Sequence, residues 1–148
     1  MMKFVGAALV LLGSAAHAAE VGPCNNLDRI SFLVGQTKSY SAGKITIAHV
    51  DTDGEPVCCS SHLLIFIPSQ EIGSECFAVS AKAANGDGSP RGFSNVEFNK
   101  ITASYDPDRG LLLHVPYTLY GGGGGPGKPG STNVRVNLSG KGSVRIER

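Results

Sequence analysis

Leu111-Leu112-Leu113-His114-Val115-Pro116-Tyr117-Thr118-Leu119, preceded by Asp106-Pro107-Asp108-Arg109-Gly110, decides the fold class. Leu111, Leu113, Val115, Tyr117 and Leu119 recur at every second position, with His114 and Thr118 on the reverse. Side chains that alternate with period two belong to a strand that turns one face to a core. The five residues ahead of it read as a reversal. Asp opens the turn, Pro holds φ near its fixed value and Gly accepts a positive φ, which is a type I turn closed by a glycine bulge. The segment Phe93 to Tyr105 should therefore pair back onto this strand as a hairpin. Its parity changes part-way, because Val96 and Phe98 are even whereas Ile101, Ala103 and Tyr105 are odd. A β-bulge near Asn99-Lys100 would restore the register.

The same period extends outward in both directions. Further strands are predicted over Ile30 to Val34, Lys44 to Val50, Val57 to Ile67, Cys76 to Ala81, Asn133 to Leu138 and Ser143 to Glu147, and no helical spacing is sustained over a dozen residues. Twenty glycines and eight prolines punctuate the chain at the intervals of short strands and turns. Ser139-Gly140-Lys141-Gly142 joins the last two strands, with Val134, Val136, Leu138, Val144 and Ile146 on one face and Arg135, Asn137 and Arg145 on the other. The prediction is an all-β, single-domain antiparallel β-sandwich or small barrel of seven to eight strands. Gly121 to Gly130 is glycine-rich and has little apolar surface to bury, so it reads as a flexible loop between strands. Phosphate-cradling loops need ordered spacing and a following helix, and neither is present.

The first eighteen residues carry an address. Met1-Met2-Lys3 is a short basic start, Phe4 to Leu12 is apolar or small, and Ala16-His17-Ala18 places small residues where a signal peptidase reads. This is the pattern of a secretory signal peptide, with an apolar core far shorter than the ~20 residues of a spanning helix. Residues 1–18 are expected to be removed, leaving an exported domain over 19–148, periplasmic or secreted, with no transmembrane segment after processing. No lipid-attachment pattern precedes Cys24. The mature 130 residues hold twelve basic and twelve acidic side chains, so net charge selects no partner class.

Cys24, Cys58, Cys59 and Cys76 all lie in the mature part. An even number in an oxidising compartment reads as structural disulfides, and no C-x-x-C suggests a redox or metal site. Adjacent cysteines in an extended strand point to opposite faces, so one of Cys58 and Cys59 is expected to join Cys24 and the other Cys76. The alternative, a vicinal Cys58–Cys59 bridge with Cys24 joined to Cys76, forces the intervening peptide into a strained geometry.

Little of the chain reads as catalytic. His49, His62 and His114 are not spaced as a metal motif, and Ser60-Ser61-His62 is a neighbourhood in sequence without the elbow of a nucleophilic serine. Asp51-Thr52-Asp53-Gly54-Glu55 has the acids of a calcium loop, but Pro56 and His62 occupy the sixth and twelfth places where glycine and glutamate are needed. It reads as a turn, as does Asn85-Gly86-Asp87-Gly88-Ser89, although oxygens from the two loops brought together would suit a cation weakly. No cofactor is expected. Nucleic-acid binding wants basic residues interleaved with exposed aromatics, which the C-terminal hairpin lacks. The reading is a non-enzymatic module that binds a protein or an anionic envelope glycan through its loops or through Arg135, Lys141 and Arg145. The alternative is a small secreted hydrolase or metal-dependent enzyme using loop acids and histidines.

Overall fold

Ten strands in two antiparallel sheets make up the computed structural model, which describes residues 19–25, 27, 34–52, 57–84 and 88–147. In chain order they are β1 (Glu20–Pro23), β2 (Val34–Tyr40), β3 (Ile45–Asp51), β4 (Ser61–Pro68), β5 (Ser74–Ser80), β6 (Asn95–Val96), β7 (Thr102–Asp106), β8 (Gly110–Leu119), β9 (Lys128–Asn137) and β10 (Ser143–Glu147). The first sheet runs β1-β5-β4-β3-β2 and the second β10-β9-β8-β6, with β7 pairing the other half of β8. The expected all-β sandwich is present, with ten strands in place of seven or eight. The additional ones are β1 and the division of 93–105 into β6 and β7. Of the strand expected over Ile30 to Val34, residues 30–33 lie outside the described residues. Val34 opens β2, a polar edge strand whose Gln36-Thr37-Lys38-Ser39 has no apolar alternation to announce it.

The main core forms where the inner faces meet. Ile45 and Ile47 of β3, Leu63, Ile65 and Ile67 of β4 and Val79 of β5 pack toward Leu111, Leu113, Val115 and Tyr117 of β8 and Val134 and Val136 of β9. Phe93 stacks on Tyr117 with ring centroids 4.3 Å apart. The first sheet is also covered on its outer face. There Ala48, Val50, Leu64 and Ala78 bury against Cys24 and Leu27, and a Cys24–Cys76 disulfide ties that segment to β5. Burial on both faces explains why β4 reads as a nearly unbroken apolar run.

The deciding hairpin has the expected turn. Asp106 Oδ1 accepts from the backbone N–H of Asp108 and Arg109, at 2.9 and 2.8 Å, and Gly110 has φ +84°. The upstream strand departs from expectation: a 3₁₀ turn at Phe98–Lys100 replaces the β-bulge and separates β6 from β7. The cause lies in β8. Pro116 O accepts from Glu97 N at 3.0 Å, so that edge of β8 is also where the missing Pro116 N–H would point. A strand continuing there would find no donor, and the chain arches past it.

Two other boundaries differ. β4 starts at Ser61, and Val57–Cys59 is a 3₁₀ turn, so Cys58 and Cys59 are not in an extended strand and the opposite-faces argument does not apply. They are bridged to each other, which corrects the expected crossed pairing. At the glycine-rich segment, Lys128, Pro129 and Gly130 belong to β9, paired with Leu119, Thr118 and Tyr117.

Candidate functional site

His49 lies on the inner face of β3, its Nε2 2.9 Å from Ser61 Oγ on β4. Asp51 follows two residues on, so the arrangement resembles a nucleophile and its base in composition. Accessibility argues against that role: Ser61 is 1% exposed and its Oγ accepts from the backbone N–H of Val96 at 3.0 Å, a link between the two sheets. His62 points to the opposite face, since it pairs across from Val50, and its Nδ1 lies 2.8 Å from Ser80 Oγ. Burial lowers the pKa of both, His62 to about 4, with Asp51 opposing the shift in each case and the charge of His49 adding to it in His62. His114 is exposed on the second sheet, with Nδ1 3.0 Å from Asn133 Oδ1. The three histidines do not converge. Among the described residues no group of three or more His, Cys, Asp or Glu could hold a metal ion. Residues 53–55 and 85–87 of the two acidic loops lie outside the described residues.

The C-terminal hairpin has the expected register, with Arg145 paired across from Arg135. The two arginines nonetheless have different surroundings. Arg135 is 3% exposed, donates through Nε and Nη2 to Glu147 Oε2 and Oε1 at 2.7 Å each, and through Nη1 to Gly110 O at 3.1 Å. Arg109 joins the same carboxylate at 2.7 Å. A planar guanidinium committed to a carboxylate fork joins β9 and β10 to the deciding turn and leaves Arg135 little surface of its own. Lys141 and Arg145 remain exposed.

The concave surface forms elsewhere, along the seam between the edge strands β2 and β7. Lys38 closes the upper part of that seam: its Nζ donates to Phe98 O at 3.0 Å and stands 5.0 Å from the centre of the Phe98 ring. Below, the seam is open. A hollow of about 520 Å³ is lined by Tyr40, Ser41, Ala103, Ser104, Tyr105 and Leu111. It adjoins a second of about 290 Å³, bounded by Lys44, Pro107, Asn137 and Ser139. Tyr105 pairs across from Leu111 and therefore faces the same side as the core. The first sheet ends at β2 and does not cover it, which leaves Tyr105 68% exposed. The odd parity of Ile101, Ala103 and Tyr105 thus marks the inner face, but only Ile101 is buried there. At the lip, Ser41 and Ala42 have φ of +52° and +55°. Non-glycine residues in this region are strained, and such strain concentrates at functional sites. Sequence reasoning missed Tyr40 and Tyr105; the available signal was an apolar face continuing to the last residue of a strand at the edge of its sheet.

Among the described residues no helix is long and apolar enough to cross a membrane. Comparison with protein-family models, curated proteins and solved structures returned no significant match.

Proposed function

We propose that this chain is an exported, non-enzymatic binding module whose ligand is a glycan bearing acidic sugar units, held in the groove between β2 and β7. The observation that carries the reading is Tyr105, an aromatic on the core-facing side of β7 left uncovered beside Tyr40. Ligand sites combine an apolar, aromatic floor with a few convergent polar groups. Here the tyrosine rings offer flat faces to sugar C–H groups, and Ser41, Ser104, Asn137 and Ser139 ring them with hydroxyl and amide partners. Lys44 lines the groove without an ion-pair partner among the described residues, and Lys141 lies in the turn that supplies Ser139. Those two cations favour an acidic sugar over a neutral one. Export rests on the first eighteen residues.

The test is calorimetric titration of the purified protein with uronic-acid oligosaccharides and their neutral counterparts. The acidic series should bind at least tenfold more tightly, and Tyr105→Ser should weaken it by tenfold or more, ~1.4 kcal/mol, without lowering Tm. Tyr105→Ser with unchanged affinity, or no saturable binding by either series, would overturn the reading.

A further inference from the structure

The opposite end of the sandwich carries a second concavity, about 340 Å³ in volume, where the end of β8 meets the chain entering and leaving the 82–91 loop. Lys82 and Arg91 form an isolated antiparallel bridge, with Arg91 N donating to Lys82 O at 2.9 Å and Lys82 N to Arg91 O at 3.1 Å. Residues that exchange both backbone hydrogen bonds carry their side chains on one side of the ribbon, and both of these line the cavity. Like charges directly opposite one another are destabilising. Neither cation has an ion-pair partner among the described residues. Glu20, a carboxylate that also lines the cavity, accepts from the backbone N–H of Ala83 at 2.9 Å through Oε2.

Facing the cationic pair is an apolar wall. Leu119 and Tyr120, 49% exposed, come from the end of β8, and Cys59 of the vicinal disulfide completes it. This wall has a firm backing, because Gly92 N donates to Cys59 O at 2.8 Å and Phe93 N to Ser61 O at 2.8 Å. We infer that this cavity is a binding site for a small organic oxyanion, a carboxylate or phosphate joined to an aromatic or apolar group. The oxyanion bridges Lys82 and Arg91, where a guanidinium fork and an ammonium together match its oxygens. The apolar part lies against Tyr120, Leu119 and the disulfide. The site is separate from the β2–β7 groove and does not depend on its assignment.

The experiment follows backbone amides of the isotopically labelled protein by NMR while phenyl phosphate, benzoate, inorganic phosphate and neutral benzyl alcohol are each added. Phenyl phosphate or benzoate should produce saturable shifts at Lys82, Arg91, Gly92 and Tyr120, with inorganic phosphate and benzyl alcohol each at least tenfold weaker. The ratio of phenyl phosphate to benzoate affinity distinguishes a phosphate site from a carboxylate site. Lys82→Ser with Arg91→Ser should abolish saturation while leaving the rest of the spectrum unchanged. Tyr120→Ala should weaken phenyl phosphate tenfold and leave inorganic phosphate as before. Shifts scattered over the surface without saturation, or a double variant that binds as the parent does, would overturn the inference.

Discussion

At the scale of single residues, the informative groups are the polar ones that folding has enclosed. His62 is 2% exposed with Ser80 as its hydrogen-bond partner, and an imidazolium there would lose its hydration. Its pKa accordingly falls from 6.5 to about 4. Between those values the unfolded chain binds a proton that the folded chain does not. Stability contributed by the neutral imidazole is therefore complete above pH 6.5 and is lost as pH falls toward 4, a loss of roughly 3 kcal/mol from His62 alone. His49 shifts in the same direction and deepens the effect. Glu147 acts in a lower window: the side-chain hydrogen bonds of Arg135 carry its pKa from 4.5 to about 2, so its contribution is present above 4.5 and disappears as pH falls toward 2. The expected melting profile descends in two stages. A His62→Gln variant should shrink the first stage to the part that His49 contributes and leave the second. Measurement of Tm against pH checks this, and an unchanged first stage in that variant would assign the loss to other groups.

At the scale of elements, the departures from regular strand are held by backbone contacts. Gly92 sits at one of these. A Cβ built on it would stand 2.5 Å from Cys59 O and 2.7 Å from Ser61 O, both of them backbone atoms that cannot swing aside. Gly92→Ala should therefore cost ~1–3 kcal/mol, seen as a lower denaturation midpoint with an unchanged m-value, and a neutral substitution would mean that the Cys58–Cys59 turn yields easily. The elements that were legible in sequence are those whose pattern is local. The 106–110 turn, the alternation of β8 and the β9–β10 register follow from period and turn chemistry alone. Those that were not legible depend on a neighbour. The division of 93–105 requires knowing which edge of β8 lacks the Pro116 donor. The 3₁₀ turn at Val57–Cys59 stands where the apolar run suggested extended chain, and β2 has no apolar face to reveal it. The same limit governs the sites. Arg135 alternates like an exposed charge, and only the approach of Glu147 and the Gly110 carbonyl encloses it. Tyr105 alternates like a core residue, and only the width of the opposite sheet leaves it bare.

At the scale of the whole molecule, the sandwich is closed unequally. Lys38 and Phe98 seal one half of the β2–β7 seam and leave the other as the proposed glycan groove, while the Lys82–Arg91 cavity occupies the far end. The outer face of the first sheet depends on a covalent tie. Cys24–Cys76 spans a sequence separation of 52, and closing a loop of that size restricts the unfolded chain, which stabilises the fold by about 2–4 kcal/mol. Cys58–Cys59 has a separation of one and closes no loop of chain, so it supplies little of that effect. The two bridges should therefore be separable. Cleavage after Lys44, Glu71 and Glu75 isolates Cys58 and Cys59 on one peptide, 45–71, within which the Glu55–Pro56 bond resists a glutamate-specific protease. In the non-reduced protein that peptide should run alone, lighter by the two hydrogens of one disulfide, while the peptide with Cys24 should be joined to the one with Cys76. A crossed arrangement would link all three. Replacing Cys24 and Cys76 together by Ser should lower stability by the amount above and expose the Ala48, Val50 and Leu64 face. Replacing Cys58 and Cys59 together should leave Tm within a few degrees of the parent. Equal losses from the two double variants would show that the vicinal bridge holds the Gly92 contact in place, a structural duty that loop entropy does not account for.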